Sequence, residues 1–306
     1  MPEVAVVIPA YNPGPHLARS LGSVIAQEFA DWECVVVDDG STDPVDLDDP
    51  APLADEPRVR LHRQPNAGVS VARNVGVGLT DSRWVAFLDQ DDEWHPAKLR
   101  RQLEGLEASP RAAFSHTGFV WSLPTGAQAS REVQVTYQNL LAGRAHVLLS
   151  SLVVRRDAYV VVGGNDPLLR QQQDWALALN LCRLFGPPAY DPDALVTYVV
   201  HEANASRDYA RAAAEARWVL EGHRAAADAA GDTVVALAAR EGLRHTHRLH
   251  ARQGVENARR AKDRGDWRRV VGHLGAAARL DPAAVVRAGA DTVSARTGQL
   301  VRRASS

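Results

Sequence analysis

Short apolar segments that alternate with helical patterns fill the first 110 residues of this 306-residue chain. An uninterrupted apolar run is typical of a strand in a parallel sheet that is covered on both faces. Helical spacing lies between the runs, as in Leu17, Leu21 and Val24, and also follows the last run, as in Leu99, Leu103 and Leu106. The alternation predicts an α/β fold with a mostly parallel sheet flanked by helices. The predicted strands are Val4–Ile8, Val35–Val37, Val59–His62 and Trp84–Leu88.

Helix signals between these strands predict where the connecting helices begin. Asn12 can cap the first helix, with Pro13 at its first position, and Pro96 opens a later helix. Residues 112–200 are less regular. The helices predicted there are Gln134–Gly143, Asp157–Val162 and Gln173–Phe185, and the strands are Ala112–Trp121, Val147–Val154 and Leu195–Val200. A further helix is predicted earlier in the chain, over Val69–Leu79.

The composition changes after Asn204, where alanine and arginine dominate and strand signals end. Helical periodicity continues to about residue 300 and predicts three to five helices, with breaks at Gly231, Gly254, Gly265 and Pro282. Residues 1–206 carry 16 basic and 26 acidic residues, whereas residues 207–306 carry 19 and 11, a net charge of +8. We therefore expect an α/β domain over residues 1–206 and an all-helical domain over residues 207–306.

Composition excludes several classes of protein. Hydrophobic residues make up 45% of the chain, so a large core can form. No apolar run reaches the length of about 18 residues that a membrane-spanning helix needs. Cys34 and Cys182 lie in apolar stretches without metal-ligand spacing, which predicts buried free thiols and a reducing compartment. The run Val4–Ile8 lacks the basic flank of a signal peptide, and we expect a cytoplasmic location.

Two carboxylates, Asp38 and Asp39, directly follow the predicted strand Val35–Val37. The carboxyl ends of parallel strands border the crevice in which open α/β sheets bind ligands. A carboxylate there can accept hydrogen bonds from a pyrimidine N–H or a ribose hydroxyl. The alternative interpretation is a plain turn, because Asp-Gly-Ser is a common turn composition.

A second acidic segment, Asp89-Gln90-Asp91-Asp92, follows the predicted strand Trp84–Leu88. Carboxylates two residues apart at a strand end can converge on one hard divalent cation, which would clamp a diphosphate and stabilise it as a leaving group. The spacing therefore favours a Mg²⁺ or Mn²⁺ site in this segment. The alternative is a solvated acidic loop in front of the helix that Pro96 opens.

Other candidate residues lie in three further segments. Small residues over Asn66–Asn74 permit close approach of the backbone to an anion, and Arg73 can pair with a phosphate or with the acidic segment. Asp174 begins the helix Gln173–Phe185, where a lone aspartate usually acts as a cap or dipole partner. His201 follows the last predicted strand, where a single histidine is more often structural than functional.

Taken together and in order, these segments resemble family 2 of the inverting glycosyltransferases, which have the GT-A fold. The similarity covers about residues 3–206 and implies a GT-A-like sheet. It implies transfer of a sugar from a nucleotide-sugar donor, usually a UDP-sugar, to an acceptor hydroxyl. The segments that carry it are Val7–Asn12, Val36–Asp43, Asn66–Asn74, Phe87–Asp92, Ser150–Arg155 with Gly163-Gly164, Gln173–Trp175, and His201–Ser206.

The resemblance implies a set of donor-binding residues. Pro9, Ala10 and Tyr11 would border the base, with Tyr11 near its face. Asp39 would hydrogen-bond the base, and Arg73 would lie beside the donor phosphates and the acidic segment. The full implied set is Pro9, Ala10, Tyr11, Asp39, Arg73, Asp89 and Gln90.

The resemblance also implies metal-assisted catalysis with Asp174 as the general base. Asp89 and Asp91 would form the Asp-x-Asp motif that binds Mn²⁺ or Mg²⁺, with His201 near the metal or the diphosphate. Asp174 would take the proton of the acceptor hydroxyl as its oxygen attacks the anomeric carbon opposite the diphosphate, which inverts that carbon. Glycan, lipid-linked and small-molecule acceptors all remain open, with polysaccharide biosynthesis as the expected setting and no nucleic-acid partner.

Gln173 departs from the family pattern, which commonly has glutamate there, and so removes a negative charge beside Asp174. This departure and the helical tail leave open a catalytically silent nucleotide-sugar-binding or scaffold protein. A nucleotidyltransferase is disfavoured because no Gly-rich phosphate loop follows the first strand. For residues 207–306 the hypotheses are acceptor recognition, self-association, or peripheral contact with the inner face of the membrane.

Overall fold

The structure is a computed structural model that describes residues 1–46, 56–123, 126–130, 133–200 and 209–286. The chain divides into two compact units. The first contains Met1–Leu140 and Arg144–Asn204, and the second contains Leu141–Gly143 and Ala205–Ser306.

A mixed sheet with helices packed on its two faces forms the first unit. Its strands are β1 (Val4–Ala10), β2 (Trp32–Asp38), β3 (Val59–Arg63), β4 (Trp84–Phe87), β5 (Glu93–Trp94), β6 (Phe114–Leu123), β7 (Gly126–Ala129), β8 (Val153–Arg155) and β9 (Ala189–Val199). Its helices are α1 (His16–Ile25), α2 (Val69–Gly78), α3 (Lys98–Ala108), α4 (Tyr137–Leu141), α5 (Arg156–Val161) and α6 (Gln173–Phe185), with a short 3-10 helix at Leu149–Ser151. In the described residues the strand order is β3-β2-β1-β4-β8-β6-β9-β5, and β7 pairs with β6.

The parallel strands at the start of the chain share one carboxyl edge. β1 is parallel to both β2 and β4, and β2 is parallel to β3. β8 runs antiparallel to β4, so the 3-10 helix in front of β8 lies at the same edge as the segment that follows β4. The loops after β1, β2 and β4 therefore meet the loop before β8.

Alternation along the strands divides the apolar residues of the sheet between two cores. Val4, Val6 and Ile8 of β1 pack in one cluster with leucines of α1 and α3. Val7 points to the other face, where it contacts α2 at Gly76. Both sets are fully buried, which explains why β1 is an uninterrupted apolar run.

The predicted order of strands and helices is confirmed in the first 110 residues, but some predicted details are wrong. Asn12 does not cap α1, which starts at His16 after Pro15. The Asn12 side chain instead accepts hydrogen bonds from the Thr42 amide and hydroxyl, at 2.9 and 3.0 Å. Asn12 also has a positive φ of 45°, which asparagine tolerates better than most residues.

Two strand predictions in the second half need correction. The strand predicted over Val147–Val154 is a 3-10 helix followed by the short strand β8. The last strand begins at Ala189, well before the predicted Leu195, because parallel pairing with β6 extends it through polar residues. Cys34 and Cys182 are buried free thiols, as predicted.

Three long helices form the described part of the second unit. They are α7 (Tyr209–Ala230), α8 (Thr233–Asp263) and α9 (Trp267–Leu280). Gly231 and Gly265 lie in the turns between them with positive φ, as helix ends require. Gly254 is buried inside α8 and does not interrupt this helix, contrary to the predicted helix break. None of the described helices is long and apolar enough to cross a membrane.

A pair of glycines in α2 gives a test of the packing between helix and sheet. A β-carbon at Gly76 would overlap Cγ1 of Val7, a stiff β-branched side chain in the core, so Gly76→Ala should destabilise the fold by about 1–3 kcal/mol. A β-carbon at Gly78 would meet nothing within 4 Å, so Gly78→Ala should be neutral or stabilise by up to about 1 kcal/mol. Urea denaturation of both variants measures this, and equal effects would contradict the packing.

Candidate active site

Backbone and side-chain hydrogen bonds join the loop after β1 to the loops after β2 and β4. The Tyr11 amide donates to Oε1 of Gln90 at 2.7 Å, and Nε2 of Gln90 donates to the Tyr11 carbonyl at 3.3 Å. The Asp39 amide donates to the Ala10 carbonyl at 2.8 Å. Pro9 and Ala10 are buried, whereas the Tyr11 side chain is exposed beside this junction. Gln90 therefore holds two of the loops in fixed register.

The carboxylate of Asp39 organises the segment in front of α2. Its Oδ1 accepts from Nε2 of Gln64 and from the Ala67 amide, and its Oδ2 accepts from the Gly68 amide, each at 2.8 Å. The sequence predicted an anion at the start of this helix. In the structure that anion is Asp39 itself. An ionised carboxylate has about four acceptor positions, so three protein donors leave one for another partner.

Asp38 has a structural role in the turn after β2. It is fully buried, and its carboxylate accepts hydrogen bonds from the Ser41 and Val45 amides at 2.9 and 3.3 Å. Burial raises the pKa of Asp38, but the hydrogen bonds from Ser41 and Val45 and the nearby Arg63 outweigh it and lower that pKa. The turn interpretation of this segment therefore applies to Asp38.

Arg73 joins two distant acidic residues in the centre of the site. Its side chain is only 1% exposed. One guanidinium nitrogen contacts Oδ1 of Asp89 at 2.5 Å, and the other contacts Oδ1 of Asp174 at 3.4 Å. Asp89 follows β4 and Asp174 lies in the first turn of α6, so the arginine brings together residues far apart in sequence. Among the described residues, Nε of Arg73 has no hydrogen-bond partner.

Neighbouring residues determine the position and the pKa of the Asp174 carboxyl group. It does not cap α6, whose N-cap is Gln172, and its Oδ2 accepts from the Leu149 amide of the 3-10 helix at 3.1 Å. Burial raises the pKa of Asp174 to about 6, with the charge of Arg73 opposing that rise and the charge of Asp89 adding to it. A carboxylate with such a pKa is a usable proton acceptor near neutral pH.

Ser150 and the buried Asp92 hold the acidic segment in place, a role that the sequence assigned to neither of them. The Ser150 hydroxyl donates to Oδ2 of Asp92 at 2.6 Å and accepts from the Asp89 amide at 3.1 Å. Asp92 is fully buried, and burial followed by the nearby charge of Asp89 raises its pKa well above the ordinary value. Ser150 lies in a segment on which the family resemblance rested, which was the available signal.

Asp89 and Asp91 differ from Asp92 in that both are partly exposed. The described residues contain no cluster of three or more His, Cys, Asp or Glu side chains arranged to hold a metal ion. Two oxygen-donating carboxylates suit Mg²⁺ or Mn²⁺ when the remaining ligands are substrate phosphates and water. The donor set therefore fits a cation shared with a diphosphate. His201, the third predicted metal residue, lies outside the described residues.

The two residues beside Asp174 have distinct surroundings. Oε1 of Gln173 is buried and lacks a hydrogen-bond partner in the described part of the chain. Trp175 is half-buried, and its indole N–H donates to the Leu140 carbonyl at 3.0 Å. The Trp175 hydrogen bond anchors the start of α6 to the end of α4.

Comparison with known sequences identifies the family. The profile described as "Glycosyl transferase family 2" matches residues 5–150. TuaG of Bacillus subtilis (strain 168), named as a teichuronic acid biosynthesis glycosyltransferase, is 32% identical over 187 residues, which are 60% of this chain and 73% of TuaG. The chain belongs to glycosyl transferase family 2.

A second relative of this glycosyltransferase is named for succinoglycan biosynthesis. The succinoglycan biosynthesis protein ExoO of Rhizobium meliloti (strain 1021) is 32% identical over 224 residues, covering 68% of this chain and 63% of ExoO. The alignments thus extend over most but not all of the length of these relatives.

Solved structures share the fold of the glycosyltransferase at low sequence identity. TarS 1–349 of S. aureus in complex with UDP-GlcNAc has a TM-score of 0.64 and 15% identity, covering 89% of this chain and 90% of that one. Mannosyltransferase PcManGT of Pyrobaculum calidifontis, in complex with GDP-Man and Mn²⁺, has a TM-score of 0.62 and 18% identity, covering 98% and 81%. The predicted GT-A-like fold with a helical C-terminal region is confirmed.

A double-mutant cycle tests the central ion pair. Arg73→Met should destabilise the protein by about 3–5 kcal/mol because it leaves Asp89 and Asp174, whose side chains are only 25% and 23% exposed, without their cation. Adding Asp174→Asn should recover part of this loss, giving a coupling free energy of about 1–3 kcal/mol in urea denaturation.

The control cycle uses Arg155→Met and Asp157→Asn, whose ion pair lies at the surface. Its coupling should be no more than about 1 kcal/mol. Strictly additive effects of Arg73→Met and Asp174→Asn would contradict the geometry.

Proposed function

We propose that this family 2 enzyme transfers the sugar of a nucleotide-diphosphate sugar with inversion of the anomeric carbon. In this proposal Asp174 is the general base, and Asp89 and Asp91 are the ligands of a divalent metal ion. The observation that carries this proposal is the junction of Asp89 and Asp174 through Arg73. It brings the expected leaving-group site and the expected base to one cleft edge. We assign catalysis to residues 1–206.

The donor lies along the loops after β1, β2 and β4. Tyr11 is exposed there and offers its ring to a nucleotide base. Asp39 keeps one acceptor position for the base while its other hydrogen bonds hold the loop in place. UDP is the proposed nucleotide, supported by the UDP-GlcNAc complex of TarS, whereas the GDP-Man complex of PcManGT keeps GDP as the alternative.

Asp174 removes the acceptor proton. Its carboxylate is fixed by the Leu149 amide and by Arg73, so its orientation does not depend on substrate. As the acceptor oxygen attacks the anomeric carbon, the proton passes to Asp174 and the bond to the diphosphate breaks, which inverts the carbon. Gln90 keeps the acidic segment against the loop after β1 throughout.

The leaving diphosphate gains negative charge as the bond breaks. When bound at Asp89 and Asp91, a divalent cation would neutralise that charge. Arg73 contributes positive charge from its buried position beside Asp89. The names of TuaG and ExoO support polysaccharide biosynthesis as the setting, with a glycan or lipid-linked acceptor.

Donor binding tests the assignment of the metal site. Calorimetry with UDP- and GDP-sugars should show binding that Mn²⁺ strengthens by about tenfold or more, because a cation held by Asp89 and Asp91 would supply positive charge for the diphosphate. Asp91→Ala should lose the metal-dependent part. Asp157→Asn, an exposed aspartate of α5, should not. Binding that is indifferent to metal and to Asp91→Ala would refute the metal site.

The pH dependence of donor hydrolysis tests the base. Asp174 acts only when ionised, so kcat/KM should rise about tenfold per pH unit below its pKa of about 6 and level off above it. A bound cation moves this midpoint lower, since a positive charge favours the carboxylate. Asp174→Asn should bind donor normally yet lose about 10²–10⁴-fold in kcat.

Gln173 offers a matched variant for the same measurement. Gln173→Glu places a negative charge beside Asp174 and should move the midpoint of the profile to higher pH. Gln173→Ala, which adds no charge, should leave the midpoint close to that of the unmodified enzyme. A value of kcat/KM that stays constant between about pH 4.5 and about pH 8 would exclude Asp174 as the base.

A further inference from the structure

The second unit carries an unusual exposed face on α9. Val270 and Ala277 point toward α8, where each lies in a buried apolar cluster. Trp267 and Val271, one turn apart on the same helix, are 61% and 71% exposed. Residues at i and i+4 share a helix face, so these two side chains form one apolar patch.

Positive charge surrounds this patch. Residues 252–269 include seven basic and three acidic residues. Two of the basic ones are paired, Arg260 with Glu256 and Arg269 with Asp266. Arg264 and Arg268 form no ion pair with any described residue, and both are exposed. Arg268 directly follows Trp267, and Arg264 is the C-cap residue of α8, three residues before Trp267 in sequence.

We propose that Trp267 and Val271 of α9, together with Arg268 of α9 and Arg264 at the C-terminal end of α8, dock on an anionic lipid surface. Tryptophan suits the boundary between headgroups and acyl chains because its ring is apolar while its N–H can hydrogen-bond. Arginine stems lie along the apolar layer while their guanidinium groups contact lipid phosphates. This pairing of aromatic and basic residues is typical of helices that lie in a membrane interface.

Charge favours a lipid surface over a second copy of the chain as the occupant. Residues 207–306 carry a net charge of +8, so two copies meeting through this face would repel each other. An anionic bilayer has the complementary sign. The inference does not depend on the proposed catalytic residues, and it would place the enzyme next to lipid-linked substrates.

Vesicle sedimentation of the full chain tests the proposal. The protein should pellet with vesicles of phosphatidylcholine and phosphatidylglycerol but not with phosphatidylcholine alone, and salt should weaken the binding. Arg264→Gln with Arg268→Gln should reduce the partition coefficient by about 25-fold, since each arginine near an anionic surface contributes about fivefold. Trp267→Ala should reduce it by about tenfold.

Matched controls on α7 separate this face from the charge of the whole chain. Arg217 and Arg224 are ion-paired within α7, so Arg217→Gln with Arg224→Gln removes the same two charges elsewhere. Trp218 is 53% exposed on α7, and Trp218→Ala removes an equivalent ring. Both controls should retain binding.

Several results would overturn the proposal. These are equal binding to neutral vesicles, no binding to either vesicle, or equal losses in the α7 controls. Light scattering provides a further check, because self-association that Trp267→Ala abolishes would identify a second copy as the occupant instead. Nucleotide-sugar binding by Trp267→Ala should stay normal, which distinguishes failure at this face from failure of the catalytic proposal.

Discussion

The buried guanidinium of Arg73 is the interaction on which the arrangement of the site depends. A cation with 1% exposure is costly to bury unless carboxylates accompany it, and here Asp89 and Asp174 supply them. Satisfying this one side chain requires α2, the segment after β4 and the start of α6 to lie together. Loss of either carboxylate would leave a buried charge poorly compensated, so the fold and the placement of the proposed base, Asp174, are specified by the same contacts.

A second layer of polar contacts holds the first in place. Ser150 binds both Asp92 and the Asp89 amide, and Trp94 donates its indole N–H to the Ser150 carbonyl at 2.8 Å. On the other side, the Tyr159 hydroxyl donates to Oδ1 of Asn74, the residue after Arg73, at 2.6 Å. Each of these groups is polar and largely buried, so the contacts are expensive to break and restrict the loops at the strand ends.

The sequence predicted the strands of the first half well because three of the four, all except Val59–His62, are uninterrupted apolar runs. The prediction failed where pairing with a neighbouring strand, and not composition, determines whether a segment forms a strand. Polar residues of β9 form a strand only because β6 lies beside them. Helical spacing predicted Leu99 and Leu103 as the core face of α3, yet Lys98 and Gln102 are also buried. The Lys98 ammonium donates to Oε1 of Gln102 at 2.6 Å and lies 4.1 Å from the Trp94 ring centroid, a pairing that spacing alone does not reveal.

The sequence did not reveal how different the surroundings of the predicted site residues are. Four carboxylates of similar sequence context end in different environments. Asp38 is locked in a turn, Asp39 is held by three donors, Asp89 faces both Arg73 and solvent, and Asp92 is buried with a raised pKa. Asp89 keeps partial exposure, whereas Asp38, Asp39 and Asp92 are buried and accept hydrogen bonds from protein donors. Burial is set by the packing of distant elements. A strand-end acidic motif therefore indicates which carboxylates are candidates, and the surrounding fold determines the exposure and the pKa of each one.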